Sequence, residues 1–432
     1  MTFSPMTKAN RLAALCTAFI LCTLSFSTKA EGLGRCTIYD TSHIRSLQLI
    51  ALGDPVLPPV MELKKYRFTL GFDEMSHEYH RYIYHIDHCE ADWSVSEDIF
   101  ESSFLDGLND QPIEDYEKSF NTNQIYTHYS VSFPNEETRM LLSGNYRITI
   151  YDDDDDEHTA LLTAEFCLVE PVISVSGTVD ANTDIDFQRS HQQVSLSLGF
   201  GALRVTDPER ELRTFVIQNR RPDRCVEAKA NIRKANGLDF THQRNLIFPA
   251  GSECHKFEIL DVNRSNLNID NIRWFEPYYH ATLYEERPQH NYTYEQDVNG
   301  AFVIRNAEDE DNETTCEYII THFRLKSEPI QGGPIYVQGN WCNNWPNEEY
   351  EMKYDEQSGE YQAAVLLKQG YYEYRFVQLT DQKTAAGTPI AITDRTDGNF
   401  YQTENEYIVL VYHKEPGGRY DKLVGYTVLQ TK

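Results

Sequence analysis

Short stretches in which apolar and polar residues alternate with a period of two recur along this chain. Residues 66–72, 78–86 and 145–151 alternate in this way, the last directly after a Ser143-Gly144 turn signal. Residues 194–198 and 214–217 read alike. A period of two sends successive side chains to opposite faces of a strand, so one face can enter a core while the other stays wet. Residues 106–120 are the one segment predicted to hold a short helix. Many short strands set off by turn signals predict β-sandwiches, and the 28 Tyr and 21 Phe suit pleated, half-buried surfaces. The expected fold class is all-β, built as tandem immunoglobulin-like β-sandwich domains.

At 432 residues the chain has room for two or three domains. Residues 1–30 combine the basic head of Lys8 and Arg11, an apolar run over 12–26, and Thr28-Lys29-Ala30, with small residues where a signal peptidase reads. This predicts a secretory signal peptide. Cys16 and Cys22 each follow a Leu, which argues against a lipid anchor. No later run approaches the roughly 20 apolar residues of a membrane helix. Glu170-Pro171 closes an expected N-terminal sandwich at 31–171, and the acidic stretch 305–315 separates a middle sandwich at 172–311 from a C-terminal one at 312–432.

Charge narrows the partners. The formal net charge of −28 becomes −31 when the leader removes Lys8, Arg11 and Lys29 without an acid. Such a field repels phosphate backbones and excludes nucleic acid as a favourable partner. Seven cysteines follow the leader, widely spaced and without a C-x-x-C pair, which disfavours zinc. Cys225 with Cys254, and Cys316 with Cys342, are the local disulfide candidates; unpaired buried thiols are the alternative.

Candidate chemistry is sparse. His77, His80, His85, His88 and Cys89 resemble a metal set, but strand periodicity places them on opposite faces, where donors cannot converge. Residues 152–157, five Asp and a Glu, lack the glycine and spacing of a calcium loop and read as a solvated hairpin tip. G-x-S-x-G, H-E-x-x-H and phosphate-cradling glycine loops are absent from the sequence. No catalytic residue, metal or cofactor is expected.

The last unit carries Gly339-Asn340-Trp341, Asn343-Asn344-Trp345, Ser358-Gly359-Glu360-Tyr361 and Gly370-Tyr371-Tyr372-Glu373-Tyr374-Arg375-Phe376. In this order it resembles the early-set immunoglobulin-fold module of glycogen-binding domains. That resemblance aligns Trp345 with a sugar-stacking Trp, but the second platform Trp is missing from residues 377–381. Trp341 and Trp345 are therefore the candidate glycan or partner contacts, against the alternative that both pack in or beside the core.

A second resemblance spans nearly the whole chain. It rests on His88-Cys89-Glu90-Ala91-Asp92-Trp93, Ser119-Phe120-Asn121-Thr122, Tyr126-Thr127-His128-Tyr129, Phe133-Pro134-Asn135, Ser143-Gly144-Asn145-Tyr146 and, near the end, Gly398-Asn399-Phe400-Tyr401 and Arg419-Tyr420-Asp421-Lys422-Leu423-Val424-Gly425-Tyr426. Together these are similar to the plug protein family of the type IX secretion system; the five-Asp run departs from that pattern. The resemblance implies a periplasmic, non-enzymatic subunit, held at the outer membrane through the type IX translocon barrel, whose channel it occludes. It implies no small-molecule substrate and no nucleic-acid partner. A secreted glycan-binding sandwich protein is the alternative, and a hydrolase with converging carboxylates is a third reading.

Overall fold

The computed structural model describes residues 33–264, 266–307 and 311–431. The expected signal peptide and the centre of the acidic stretch lie outside the described residues. Strand accounts for 48% and helix for 6%, as the alternation demands. The segment 106–120 is not helical. A single turn, Glu101–Phe104, runs directly into short strands at Leu105–Gly107, Gln111–Pro112 and Asp115–Lys118. Asn109 diverts it by donating to the Ile86 carbonyl and accepting from the Ile86 N–H, and Asp110 adopts a positive φ of 57°.

The first sandwich covers residues 33–170. One sheet runs Cys36–Ile38, Leu162–Val169, Gly144–Asp152, Tyr82–Cys89, Gln111–Pro112, and Val60–Glu62 joins it in parallel beside Leu162–Val169. The facing sheet runs Ile44–Ala51, Phe68–Glu74, Thr127–Phe133, Asp115–Lys118. Phe68, Leu70, Phe72, Tyr84, Tyr146 and Phe166 meet between them. The alternation at 66–72 and 145–151 places Phe68, Leu70, Phe72 and Tyr146 inward.

The other two sandwiches are interleaved, not consecutive. Glu406–His413 lies between Leu212–Gln218 and Lys422–Gln430, and with Cys225–Ala228 these form one sheet of the middle sandwich. The other sheet runs Ser174–Asp180, His191–Gly199, Gly237–Phe240, Ile232–Lys234. The third sandwich is inserted into this one. Its ten-stranded sheet follows His255–Ile259, Gly370–Lys383, Ile335–Gln338, Glu351–Asp355, Glu360–Lys368, Tyr318–Lys326, Tyr278–Leu283, Ile269–Phe275, with Phe302–Ile304 and Pro389–Ile392 paired to Gly370–Lys383. A division at 311 therefore cuts through the third sandwich, and 312–432 mixes strands of two. The cause lies in Glu406–His413, which is buried on both faces and can only be a central strand. Tyr407, Val409 and Val411 enter the middle core, while Ile408, Leu410 and Tyr412 enter a second core shared with the first sandwich.

Two glycines of the third sandwich are required by geometry. Gly359 turns the Glu351–Asp355/Glu360–Lys368 hairpin at φ +65°. A Cβ on Gly339 would lie 2.3 Å from Trp341 Nε1 and 2.5 Å from the Glu373 carbonyl oxygen.

Candidate docking surface

Two junctions hold the first sandwich to the rest. At the junction with the middle sandwich, Trp93, Cys167 and Val169 pack against Phe215, Ile217, Ile408 and Leu410. A few polar bonds fix its register: Tyr412 donates to Asn145 Oδ1 at 2.7 Å, and the Asp421 and Lys414 nitrogens each donate to Glu90 Oε2 at 3.0 Å. The Ala91 N–H returns a bond to Asp421 Oδ2 at 3.0 Å.

The junction with the third sandwich is ionic. Asp73, wholly buried on Phe68–Glu74, accepts at 2.6 Å from Lys368 Nζ and from the Tyr318 hydroxyl, and lies 2.7 Å from His128 Nδ1. Lys368 also donates to the Glu313 carbonyl at 2.6 Å and lies 4.2 Å from the Tyr126 ring centroid. Burial alone would raise the Asp73 carboxyl. The Lys368 ammonium, and after it His128, outweighs burial and holds the carboxyl below its usual range. Beside this pair, between the two sandwiches, lies a polar cavity of about 290 Å³.

On the outside of this junction, large apolar side chains from both units stay in solvent. Phe120 is 74% exposed, Ile125 51%, Phe275 56% and Trp274 45%. The Gln124 side chain donates to the Pro277 carbonyl at 3.0 Å, and the Phe120 N–H to the Thr314 carbonyl at 2.9 Å. The loop bearing Phe120 and Ile125 therefore abuts the hairpin tip bearing Trp274 and Phe275. Tyr79 and Tyr116, with ring centroids 5.1 Å apart, are a further exposed aromatic pair of the first sandwich. Exposed apolar side chains brought this near one another make the outside of this junction a candidate contact face.

Trp341 and Trp345 sit elsewhere, in a cleft of about 440 Å³ between the first strand and the third sandwich. Trp341 donates through Nε1 to the Glu373 carbonyl at 3.1 Å and packs edge-on against Tyr350 at 5.3 Å. The Arg35 guanidinium carbon lies 4.5 Å from the Trp345 ring centroid. A sugar stacking on that face would have to displace Arg35. Sequence reasoning missed Trp274 and Phe275, although adjacent aromatics in one strand signal that one of them faces outward.

The remaining candidates disperse. His77 meets Ser119 Oγ at 3.0 Å, His80 lies 3.5 Å from Asp152, His85 lies 2.8 Å from Asp110, and His88 meets Ser96 Oγ at 2.9 Å. Burial lowers the His88 ring to about 4, whereas a bond to Asp87 leads in raising His85 to about 9. The five-Asp run caps its own hairpin, with Asp155 accepting from the Glu157 and Thr159 N–H groups. The seven described cysteines form no disulfide with one another, and all but Cys36 are buried. The suggested pairs fail because the partners are committed elsewhere: Cys225 lies in the shared core, Cys254 Sγ accepts from Arg375 at 3.2 Å, and Cys342 Sγ donates to the Gly339 carbonyl at 3.1 Å. Cys254, Asp297 and Glu373 do cluster. Arg375 already supplies the positive charge there, and Glu373 is consumed by the Val298, Gly300 and Ala301 N–H groups.

Among the described residues no helix is long and apolar enough to cross a membrane. No protein of curated description matches the chain. A solved structure does: a hypothetical protein from Parabacteroides merdae, 33% identical, covering 93% of this chain and 100% of that one, with a TM-score of 0.87. The family profile described as type 9 secretion system plug protein 1st domain matches residues 44–170, which is the first sandwich from its second strand to its end. By that match residues 44–170 belong to the family of type 9 secretion system plug protein 1st domains.

Proposed function

We propose that this protein is a periplasmic plug subunit, which docks on the outer-membrane translocon barrel of the type IX secretion system and closes its channel between cargoes. The family match over the first sandwich carries this reading. Occlusion asks for a stiff body and a sizeable contact area, not for a reactive group. Three sandwiches joined through a shared apolar core and a buried ion pair supply the stiffness. The aromatic surface around Phe120, Trp274 and Phe275 supplies contact area, with large side chains of low conformational cost.

The test is a deletion strain in which the translocon still assembles. Its outer membrane should admit large antibiotics that it normally excludes and leak small periplasmic solutes, while cargo secretion continues. Tagged protein should also co-purify with the barrel from solubilised outer membranes. Unchanged permeability in the deletion strain would overturn the occlusion role.

A further inference from the structure

On the outer face of the third sandwich, the strands Tyr278–Leu283 and Tyr318–Lys326 pair in parallel, His280 beside Ile320 and Thr282 beside His322. This offset sets the two histidines diagonally on one face. His280 Nδ1 and His322 Nε2 lie 2.8 Å apart, and the rings are inclined by only 21°. Both line an open groove of about 660 Å³, together with Asn271, Arg273, Thr282 and Arg324. From these contacts we infer that His280 and His322 form a two-imidazole site for a divalent copper or nickel ion, completed by water.

The separation argues for these metals. Two nitrogens at roughly 2.0–2.1 Å from one ion stand about 2.8–3.0 Å apart when bound cis at a right angle, and about 3.3–3.4 Å apart at a tetrahedral angle. The 2.8 Å of the N–H···N bond between the metal-free rings is nearer the first case, so the cis arrangement of copper(II) and nickel(II) is reached with less movement than the tetrahedral one of zinc. Copper also stands highest in the affinity order for such donors. In the metal-free pair one ring donates its N–H to the other. Binding breaks that bond and moves the proton to the other nitrogen of the same ring, so both rings stay neutral and no proton is released.

The charges facing the pair are few. Arg324 is matched by Glu360, with bonds of 3.0 Å from Nε and Nη2. Arg273, directly across the strand pair from His280, is exposed and opposes a cation. Phe275 packs edge-on against His280 at 5.3 Å.

The experiment titrates Cu²⁺ into the full mature chain by calorimetry and reads the bound ion by pulsed electron paramagnetic resonance. The wild type should bind one ion through two imidazoles. His280→Asn and His322→Asn should each weaken that binding at least tenfold and leave one imidazole, whereas Arg273→Gln should tighten it several-fold. Wild-type affinity in either histidine variant, or a single imidazole in the wild-type spectrum, overturns the site. The spectrum of the wild type decides alone if a variant fails to fold.

Discussion

The two junctions of the first sandwich solve one problem with opposite chemistry. Against the middle sandwich it shares a core in which Trp93, Leu410 and Ile408 exclude water and Tyr412 with Asn145 sets the register. Against the third it offers a carboxylate, Asp73, to an ammonium, Lys368, with neither exposed by more than 2%. Apolar contact is forgiving, because area is gained in many orientations. A buried pair is not, since desolvating both charges is offset only when the geometry is right. The ionic junction therefore selects one arrangement of first and third sandwiches, and the exposed aromatic surface straddles that arrangement.

The contrast breaks most readily at Lys368. Lys368→Met alone leaves Asp73 charged, buried and short of its main partner, and should cost about 3–5 kcal/mol. Adding Asp73→Leu should return most of that loss, because the pair is then replaced by apolar volume. Denaturant titration of the two variants and the wild type measures both quantities. A single variant as stable as the wild type would mean that the pair is hydrated in solution. Acid should act in the same direction. The folded Asp73 pKa lies below the unfolded one, so its contribution is fully present above about pH 4 and is lost as pH falls from there through the folded value.

The apolar junction should respond less and differently. Tyr412→Phe removes one buried hydrogen bond and leaves Asn145 Oδ1 with Cys167 Sγ as its remaining donor, at 3.2 Å. A loss of about 1–2 kcal/mol is expected, equal at pH 5 and pH 8. A loss that varies across that range would show that Glu90, Lys414 and Asp421, not the apolar core, dominate this junction.

The strands were legible in the sequence and the junctions were not, for one reason. Alternation is a local signal, so residues 66–72 and 145–151 announced their inward faces without knowledge of a partner. Asp73 and Lys368 are 295 positions apart, and each reads locally as an ordinary polar residue on a strand. His280 and His322 escaped notice in the same way, whereas the closely spaced His77 to His88 drew attention and went to separate partners. The interleaving had one local sign. Residues 406–413 lack the alternation of a half-exposed strand, and that run should have marked a central strand needing partners on both sides.

Trp345 offers a smaller test. A fully buried Trp would cost about 3–5 kcal/mol on truncation. Trp345 is only partly covered, and the Arg35 guanidinium lies over its ring. Trp345→Ala should therefore cost about 1 kcal/mol, the scale of a partly exposed cation–π contact. A melting curve measures this loss, and retention of the wild type on α-glucan would show that a sugar displaces Arg35.

The smallest expected effect on stability belongs to the aromatic surface, and it separates docking from folding. Phe120 is 74% exposed and Phe275 56%, so Phe120→Asp and Phe275→Asp remove little that the fold uses. Each should leave stability within about 0.5 kcal/mol of the wild type. If these rings anchor the chain on its barrel, each should weaken capture by at least about thirtyfold, the effect of a 2 kcal/mol contact. Lys368→Met should also weaken capture, for another reason. It loosens the junction across which the Phe120 N–H bonds the Thr314 carbonyl, and so displaces one half of the surface from the other. The two cases part on a stability measurement, since the Lys368 variant loses both properties and the Phe120 variant only one. Capture that survives Phe120→Asp and Phe275→Asp but fails with Lys368→Met would place the contact elsewhere on the paired sandwiches, while still requiring that the ionic junction hold them in register.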